Sequence, residues 1–298
     1  MDEGSSAEVL VLMRRAGVVF GAAFSDWWKE INESPQWQDT VFYLLSASYA
    51  LVSAMALIQL IRIQRRVPEF GWTTQKVFHL MNFIVNAVRA TIFGFHGEVF
   101  SFKTKVFTLI LLDLPGLLFF STYTLLVLFW AEIYYQASAL GSVHTDRLRT
   151  AYLSVNAVIY AIQVGIWMYL WIDDSYIIEL VGKIFIAAVS LLAVLGFVFY
   201  GGRLFTLLKR FPIESKGRRK KLHEVGWVTG ICFTCFSVRC IMRLFSAFDP
   251  DLTLEVLDHP ILDLNYYMFT EVVPMALVLF ILRKLPPKRV SAQYHPIR

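Results

Sequence analysis

Thr40-Val41-Phe42-Tyr43-Leu44-Leu45-Ser46-Ala47-Ser48-Tyr49-Ala50-Leu51-Val52-Ser53-Ala54-Met55-Ala56-Leu57-Ile58-Gln59-Leu60-Ile61 runs for 22 residues without a charge, and Arg62-Ile63-Gln64-Arg65-Arg66 closes it. A bilayer core of roughly 30 Å takes about 20 apolar residues as a helix. The stretch therefore reads as a membrane span with a basic exit. Three more runs carry no charge: Leu114–Ala131, Thr150–Ile172 and Ile184–Gly202. Three others are apolar but charged inside. Thr73–Phe95 holds Lys76 and Arg89, Leu222–Phe248 holds Arg239 and Arg243, and Ile261–Leu282 holds Asp263 and Glu271. The expected helices lie near 40–62, 73–95, 105–136, 149–172, 178–208, 222–248 and 262–283. No strand-type alternation runs through them, and a lipid-exposed span must satisfy its own backbone groups.

Composition agrees. Of 298 residues, 57% are hydrophobic and 17% charged, against about 45–50% and about 25% in a soluble domain. Disordered, collagenous and disulfide-stapled classes are excluded. Cys232, Cys235 and Cys240 share one apolar stretch. Cys232 and Cys235 fall on one helix face, and no second pair completes a metal or redox motif, so they read as packing residues. The chain divides into an N-terminal segment 1–39, a seven-helix domain 40–283 and a basic tail 284–298. Glu8–Phe24 is apolar but broken by Arg14-Arg15, and the start is acidic (Asp2, Glu3), which argues against a cleaved signal peptide. Asp26-Trp27-Trp28 and Trp37 suit an interfacial segment, and a partly disordered head is the alternative reading of residues 1–24.

Charge separates the loops into two sets. Residues 62–76, 137–149, 203–224 and 283–298 carry +3, +1, +6 and +5, a total of +15. Residues 1–39, 96–105, 173–179 and 249–263 carry −4, +1, −3 and −5, a total of −11. The spans hold +1, which restores the formal net charge of +5. Lys and Arg gather on the cytosolic side of membrane proteins. The expected topology is an all-α, polytopic, receptor-like seven-helix bundle with a lumenal N-terminus and a cytosolic C-terminus.

The densest basic segment is Lys209-Arg210-Phe211-Pro212-Ile213-Glu214-Ser215-Lys216-Gly217-Arg218-Arg219-Lys220-Lys221, with seven basic residues and one acidic. Arg283, Lys284, Lys288 and Arg289 repeat the pattern around Pro286-Pro287. Such clusters orient a protein, attract anionic lipids or bind acidic partners. Intramembrane charges are costly and face the bundle interior. Arg89 and Asp113 are placed to pair with each other. Glu132, Arg239 and Glu271 complete the set of candidate core charges, read as structural ion pairs first, and otherwise as residues snorkelling to the lipid interface or as a proton or substrate relay. His79, Asn82 and Asn86 lie about one turn apart and read as interhelical hydrogen-bond glue. Gly201-Gly202 marks a close helix approach or a bend. The six His are scattered, and no H-E-x-x-H, G-x-S-x-G, Walker loop or G-x-G-x-x-G occurs. No enzyme activity and no cofactor is expected.

Several blocks carry a resemblance. They are Ser34-Pro35-Gln36-Trp37-Gln38-Asp39, Pro68-Glu69-Phe70-Gly71-Trp72-Thr73-Thr74-Gln75-Lys76 within 62–79, and Leu128-Phe129-Trp130-Ala131-Glu132-Ile133-Tyr134-Tyr135-Gln136-Ala137. Tyr200-Gly201-Gly202-Arg203-Leu204-Phe205 with the basic segment, Leu257-Asp258-His259-Pro260-Ile261-Leu262 and Phe280–Arg289 complete the set. From about residue 25 onward the chain resembles the plant tobamovirus multiplication proteins. The resemblance implies a seven-pass protein of the vacuolar membrane, distantly similar to orphan receptor-like proteins of animal lysosomes. It further implies a host factor that binds the helicase-containing viral replication protein and tethers the RNA replication complex. An Arf-like small GTPase and a tetraspanin-like membrane protein are the partners it suggests. Anionic lipids are a further partner class for the basic face, and direct nucleic acid contact is not expected. The alternative is a receptor-like or transporter-type protein with a polar intramembrane site. Glu132-Ile133-Tyr134 and Val273-Pro274-Met275 depart from the rhodopsin-like Asp/Glu-Arg-Tyr and Asn-Pro-x-x-Tyr patterns, which makes heterotrimeric G-protein signalling doubtful.

Overall fold

The computed structural model describes residues 34–66, 73–100, 105–137, 142–173, 175–210, 216–248 and 260–282. Segment 1–33, the tail from 283 and the loop residues between these ranges lie outside it, and with them the interfacial reading of the N-terminus. Seven long helices account for the described chain. They are α1 (Pro35–Arg66), α2 (Thr74–Gly94), α3 (Lys105–Ala137) and α4 (Ser142–Ile172), with a one-turn helix, His96–Phe100, between α2 and α3. α5 is Tyr176–Gly196 continued through Phe197–Gly201 and Gly202–Arg210, α6 is Lys216–Phe248, and α7 joins Pro260–Tyr267, Met268–Val272 and Val273–Ile281. All seven are long and apolar enough to cross a membrane.

The helices outrun the hydrocarbon. α1 has 32 residues and α6 has 33, about 48 Å and 50 Å at 1.5 Å per residue. This explains where the expected limits fall short. Hydropathy marks the membrane boundary, and the backbone stays helical beyond it through Ser142–Arg149 and Lys216–Lys221. α1 starts at Pro35, where the fixed φ suits a first turn, and the Ser34 carbonyl accepts from the Trp37 and Gln38 amides. α2 starts behind Thr73, whose hydroxyl accepts the Lys76 amide at 3.3 Å, an N-cap.

Neighbouring helices pack in a closed ring in chain order, with α7 returning to α1, and α3 also meets α5. α3 is the hub: 67% of its span is buried, against 33–44% for the others. Its inner face carries Phe119 and Tyr123, which meet Phe236 of α6 tilted and edge-on, while Trp130 meets Phe197 of α5 edge-on. The outer faces are apolar: Leu51, Leu153, Val158, Leu191, Ile241 and Phe269 are all exposed. Ser53, Asn82, Asn86, Gln163, Arg239 and Glu271 are buried. That distribution suits lipid as the surrounding solvent, since water would demand the reverse.

Small residues set the close approaches. Ser46 and Ser53 of α1 donate to the Ala90 and Phe83 carbonyls of α2 at 2.8 and 3.1 Å, interhelical bonds worth about 0.6 kcal/mol each. The close-approach reading of Gly201-Gly202 holds at Gly201. The α5 backbone widens into a π turn at Phe197–Gly201, and Gly201 faces α6 so closely that an added Cβ would lie 2.7 Å from Thr229 Oγ1. Gly201→Leu is expected to cost about 1–3 kcal/mol by overpacking. Gly202→Ala, with nothing within 4 Å of the new carbon, stays within about 0.5 kcal/mol of the parent. Thermal denaturation of the detergent-solubilised protein, followed by size-exclusion fluorescence, separates the two.

Candidate functional site

Glu271 stands at the centre of the bundle's charge. It lies in the π turn Met268–Val272 of α7, three residues before Pro274. Proline has no N–H, so the helix loses its bond to the carbonyl four residues earlier, that of Thr270. Cys235 of α6 supplies the replacement, donating its thiol to the Thr270 oxygen. The cysteine read as a packing residue thus also caps a carbonyl. Cys232 beside it is fully buried.

Both Glu271 oxygens are doubly occupied. Oε1 accepts from Arg89 Nη2 at 2.7 Å and from Arg239 Nη1 at 2.5 Å. Oε2 accepts from Arg89 Nε at 2.9 Å and from the Tyr49 hydroxyl at 2.7 Å. Tyr49 is on α1, Arg89 on α2, Arg239 on α6 and Glu271 on α7, so one carboxylate joins four helices. All four residues are buried. A carboxylate offers about four lone-pair sites, and here each is filled. The group carries one excess positive charge, which aromatic faces meet. The Arg89 guanidinium lies 5.0 Å from the Tyr267 ring centroid and 5.8 Å from that of Phe93, and Arg239 lies 4.6 Å from Phe119. Gly116 makes room for Arg239, whose Nη2 would sit 3.2 Å from an added Cβ.

The expected pairing of Arg89 with Asp113 is corrected. Arg89 reaches across to α7, and Asp113 pairs with Arg243 of α6 at 3.7 Å while Trp167 Nε1 of α4 lies 3.5 Å away. A cavity of about 20 Å³ adjoins Asp113, Gln163 and Lys183, room for about one water. Glu132, at the other end of α3, accepts from Arg149 Nε of α4 at 2.8 Å and from the Thr74 hydroxyl of α2 at 3.1 Å. Thus the five candidate core charges resolve into three separate sets: Arg89, Arg239 and Glu271 together, Asp113 apart, and Glu132 apart. Sequence reasoning missed Tyr49, an unremarkable tyrosine in an apolar run, as well as Arg149 and the seat at Gly116. Asn82 and Asn86 do not bond across helices through their amide nitrogens to backbone. Each donates to a carbonyl one turn earlier on α2, and Asn86 also reaches Met275 Sδ on α7.

The basic face gathers at the opposite end from the Asp113 pair. Arg62, Arg65 and Arg66 at the end of α1, Arg147 and Arg149 at the start of α4, and Arg203 and Lys209 at the end of α5 are exposed. Arg210 ends α5, and Lys216, Arg218, Arg219, Lys220 and Lys221 form the first turns of α6. Arg283, Lys284, Lys288 and Arg289 lie outside the described residues.

Glu271→Gln leaves two arginines facing a neutral amide in a membrane interior. It is expected to cost about 3–5 kcal/mol and to show as loss of monodisperse protein in detergent. Tyr49→Phe removes one bond of four and is expected to cost about 1 kcal/mol, measured as a modest fall in the thermal midpoint.

Comparison with known proteins places this architecture. The THH1/TOM1/TOM3 domain matches residues 23–298. The chain is 68% identical over 280 residues to tobamovirus multiplication protein 1 of Arabidopsis thaliana, covering 94% of this chain and 95% of that one. It is 69% identical over 273 residues to the protein of the same name in Nicotiana tabacum, covering 92% and 94%. Identity to tobamovirus multiplication protein 3 of Arabidopsis thaliana is 58% over 274 residues, covering 92% and 89%. No solved structure matches the chain significantly. With seven apolar spans and a match over nearly its whole length, the chain is a multi-pass membrane protein that belongs to the THH1/TOM1/TOM3 domain family.

Proposed function

We propose that this protein is a membrane-anchoring host factor for tobamovirus multiplication, which holds the viral RNA replication complex on the vacuolar membrane. The observation that carries the reading is 68% identity, over 94% of the chain, to a protein named for tobamovirus multiplication. The basic end of the bundle is the surface that does the work. It faces the cytosol, with the N-terminus lumenal, as the charge asymmetry of the loops supports. Lys209, Arg210, Lys216, Arg218, Arg219, Lys220 and Lys221, with Arg283, Lys284, Lys288 and Arg289 of the tail, offer a cationic surface to the helicase region of the viral replication protein. An Arf-like small GTPase and a tetraspanin-like membrane protein are the cellular partners of the assembly.

The charged interior plays a structural part in this reading. The transporter-type alternative needs an open polar site around Arg89, Asp113 or Glu271, and Glu271 has no free acceptor position left. Arg218, Arg219, Lys220 and Lys221 changed together to Gln are expected to weaken co-purification of the viral replication protein, while expression, folding and membrane targeting persist. Undiminished co-purification removes this patch from the reading. Protease protection of tagged termini tests the orientation, and a lumenal C-terminus overturns it.

A further inference from the structure

A cavity of about 550 Å³ lies between α3, α4 and α5, within the size range of small-molecule sites. Val127, Leu148, Ala151, Val155, Leu195 and Phe199 form much of its wall. It lies outside the charged network and in the half of the bundle nearer the basic end. Val155, Leu195 and Phe199 are also exposed on the outer surface, so the cleft opens towards the hydrocarbon.

Three polar side chains in its wall, Thr124, Tyr152 and Asn156, are already committed. Thr124 donates to the Phe120 and Ser121 carbonyls at 2.9 and 3.1 Å. The Tyr152 hydroxyl donates to the Ser121 carbonyl at 3.0 Å. Asn156 accepts from the Ser121 hydroxyl at 2.7 Å and donates to the Tyr152 carbonyl at 2.9 Å. What these groups present to the cleft is carbon, which suits a hydrocarbon chain and not a polar ligand. The wall runs from Leu148 to Asn156 on α4 and from Phe120 to Ala131 on α3, roughly 12–16 Å at helical rise. That is about one leaflet of a 30 Å core.

The open end is cationic. Arg147 precedes the wall residue Leu148 and is exposed. Arg203 lies one turn beyond the wall residue Tyr200, and its guanidinium stacks 4.1 Å from the ring centroid of Phe199. A chain inserted in the cleft would bring its headgroup to these two arginines. The geometry points to a bound anionic glycerophospholipid, with one acyl chain between α3, α4 and α5 and its phosphate-bearing headgroup between Arg147 and Arg203. Hydrocarbon contact alone gives little preference, because the surrounding tails are as apolar as the wall. The cleft supplies shape and the arginines supply selection for charge.

Photo-crosslinking of the full chain in nanodiscs tests this. The probes are a phosphatidylserine with a diazirine on its acyl chain, the matching phosphatidylcholine, and a diazirine sterol. The phosphatidylserine probe is expected to label peptides of α3, α4 and α5 that wall the cleft. Ala151→Trp and Val155→Trp, which fill it, are expected to abolish that labelling, and Leu153→Trp on the neighbouring lipid face to leave it intact. Arg147→Gln and Arg203→Gln are each expected to lower the preference for phosphatidylserine over phosphatidylcholine about fivefold, the effect of about one charge at an anionic surface. Labelling spread evenly over the outer helix faces of the parent protein overturns the proposal. So does equal labelling by the choline lipid, preferential labelling by the sterol, or full labelling of a folded, cleft-filled variant. The parent map is read without any variant, so a misfolded mutant does not shield the idea.

Discussion

One carboxylate holds the bundle to a single arrangement. A charge at the centre of a membrane helix costs about 2.5–3.5 kcal/mol on insertion scales, and Arg89, Arg239 and Glu271 are all buried within apolar spans. The cost is offset only when the guanidinium groups meet the same anion and Tyr49 fills its last position. Hydrophobic packing cannot supply this specificity, because in a bilayer helix and lipid are equally apolar. A rotation or register slip in α1, α2, α6 or α7 would bury an unpaired charge. The surplus positive charge spreads over Tyr267, Phe93 and Phe119, so aromatic rings near the network act as weak counter-ions as well as filler.

The backbone is shaped around that requirement. Pro274 and the π turn at Met268–Val272 place Glu271, and the carbonyl released by the proline is met by Cys235. Gly116, next to Pro115, clears the space that Arg239 occupies. Each device is a local departure from ideal helix, and each lies beside a buried polar group. Elsewhere the helices close on one another through small residues, as Gly94 does above Ser46 and Gly201 against Thr229.

The seven spans were legible because length and apolarity are direct consequences of bilayer thickness, and the run Thr40–Ile61 alone states that condition. The interior location of Arg89, Arg239 and Glu271 was legible too, since charge cannot face lipid cheaply. Their pairing was not. Arg89 and Asp113 belong to successive helices, which invites a local pair. The true partner lies 182 residues away on α7, because the ring closes from the last helix to the first two. Helix order in space leaves no period in the sequence. Tyr49 was invisible for a related reason: a tyrosine in an apolar run has no distinguishing mark until its hydroxyl finds an acceptor. The limits of α4 and α6 failed differently. Polarity ends the membrane at Arg149 and Leu222, but Ser142–Arg149 and Lys216–Lys221 remain good helix outside it.

A charge network this fully paired constrains where the protein can act. A relay needs a group that changes partners, and Glu271 can accept a new donor only by releasing one of four. Releasing Arg239 or both Arg89 bonds strips a buried arginine of its carboxylate, and releasing Tyr49 leaves a buried hydroxyl unpaired. The same economy governs α3 and α4, where Ser121, Tyr152, Asn156 and Tyr160 satisfy one another and turn carbon outward. The Glu271 network and the Ser121 set are thus consumed in holding the bundle together, whereas both ring nitrogens of His79 and the Tyr123 hydroxyl are buried with no hydrogen-bond partner among the described residues. The exposed cationic groups are those the helices carry past the hydrocarbon. α1, α4 and α6 extend well beyond the hydrocarbon, and the exposed arginines of α1 and α4 stand at the end where Lys209 and the first turns of α6 also lie. A paired interior with long basic extensions is the construction the proposed anchor requires, with the membrane part fixing position and the protruding part left for binding.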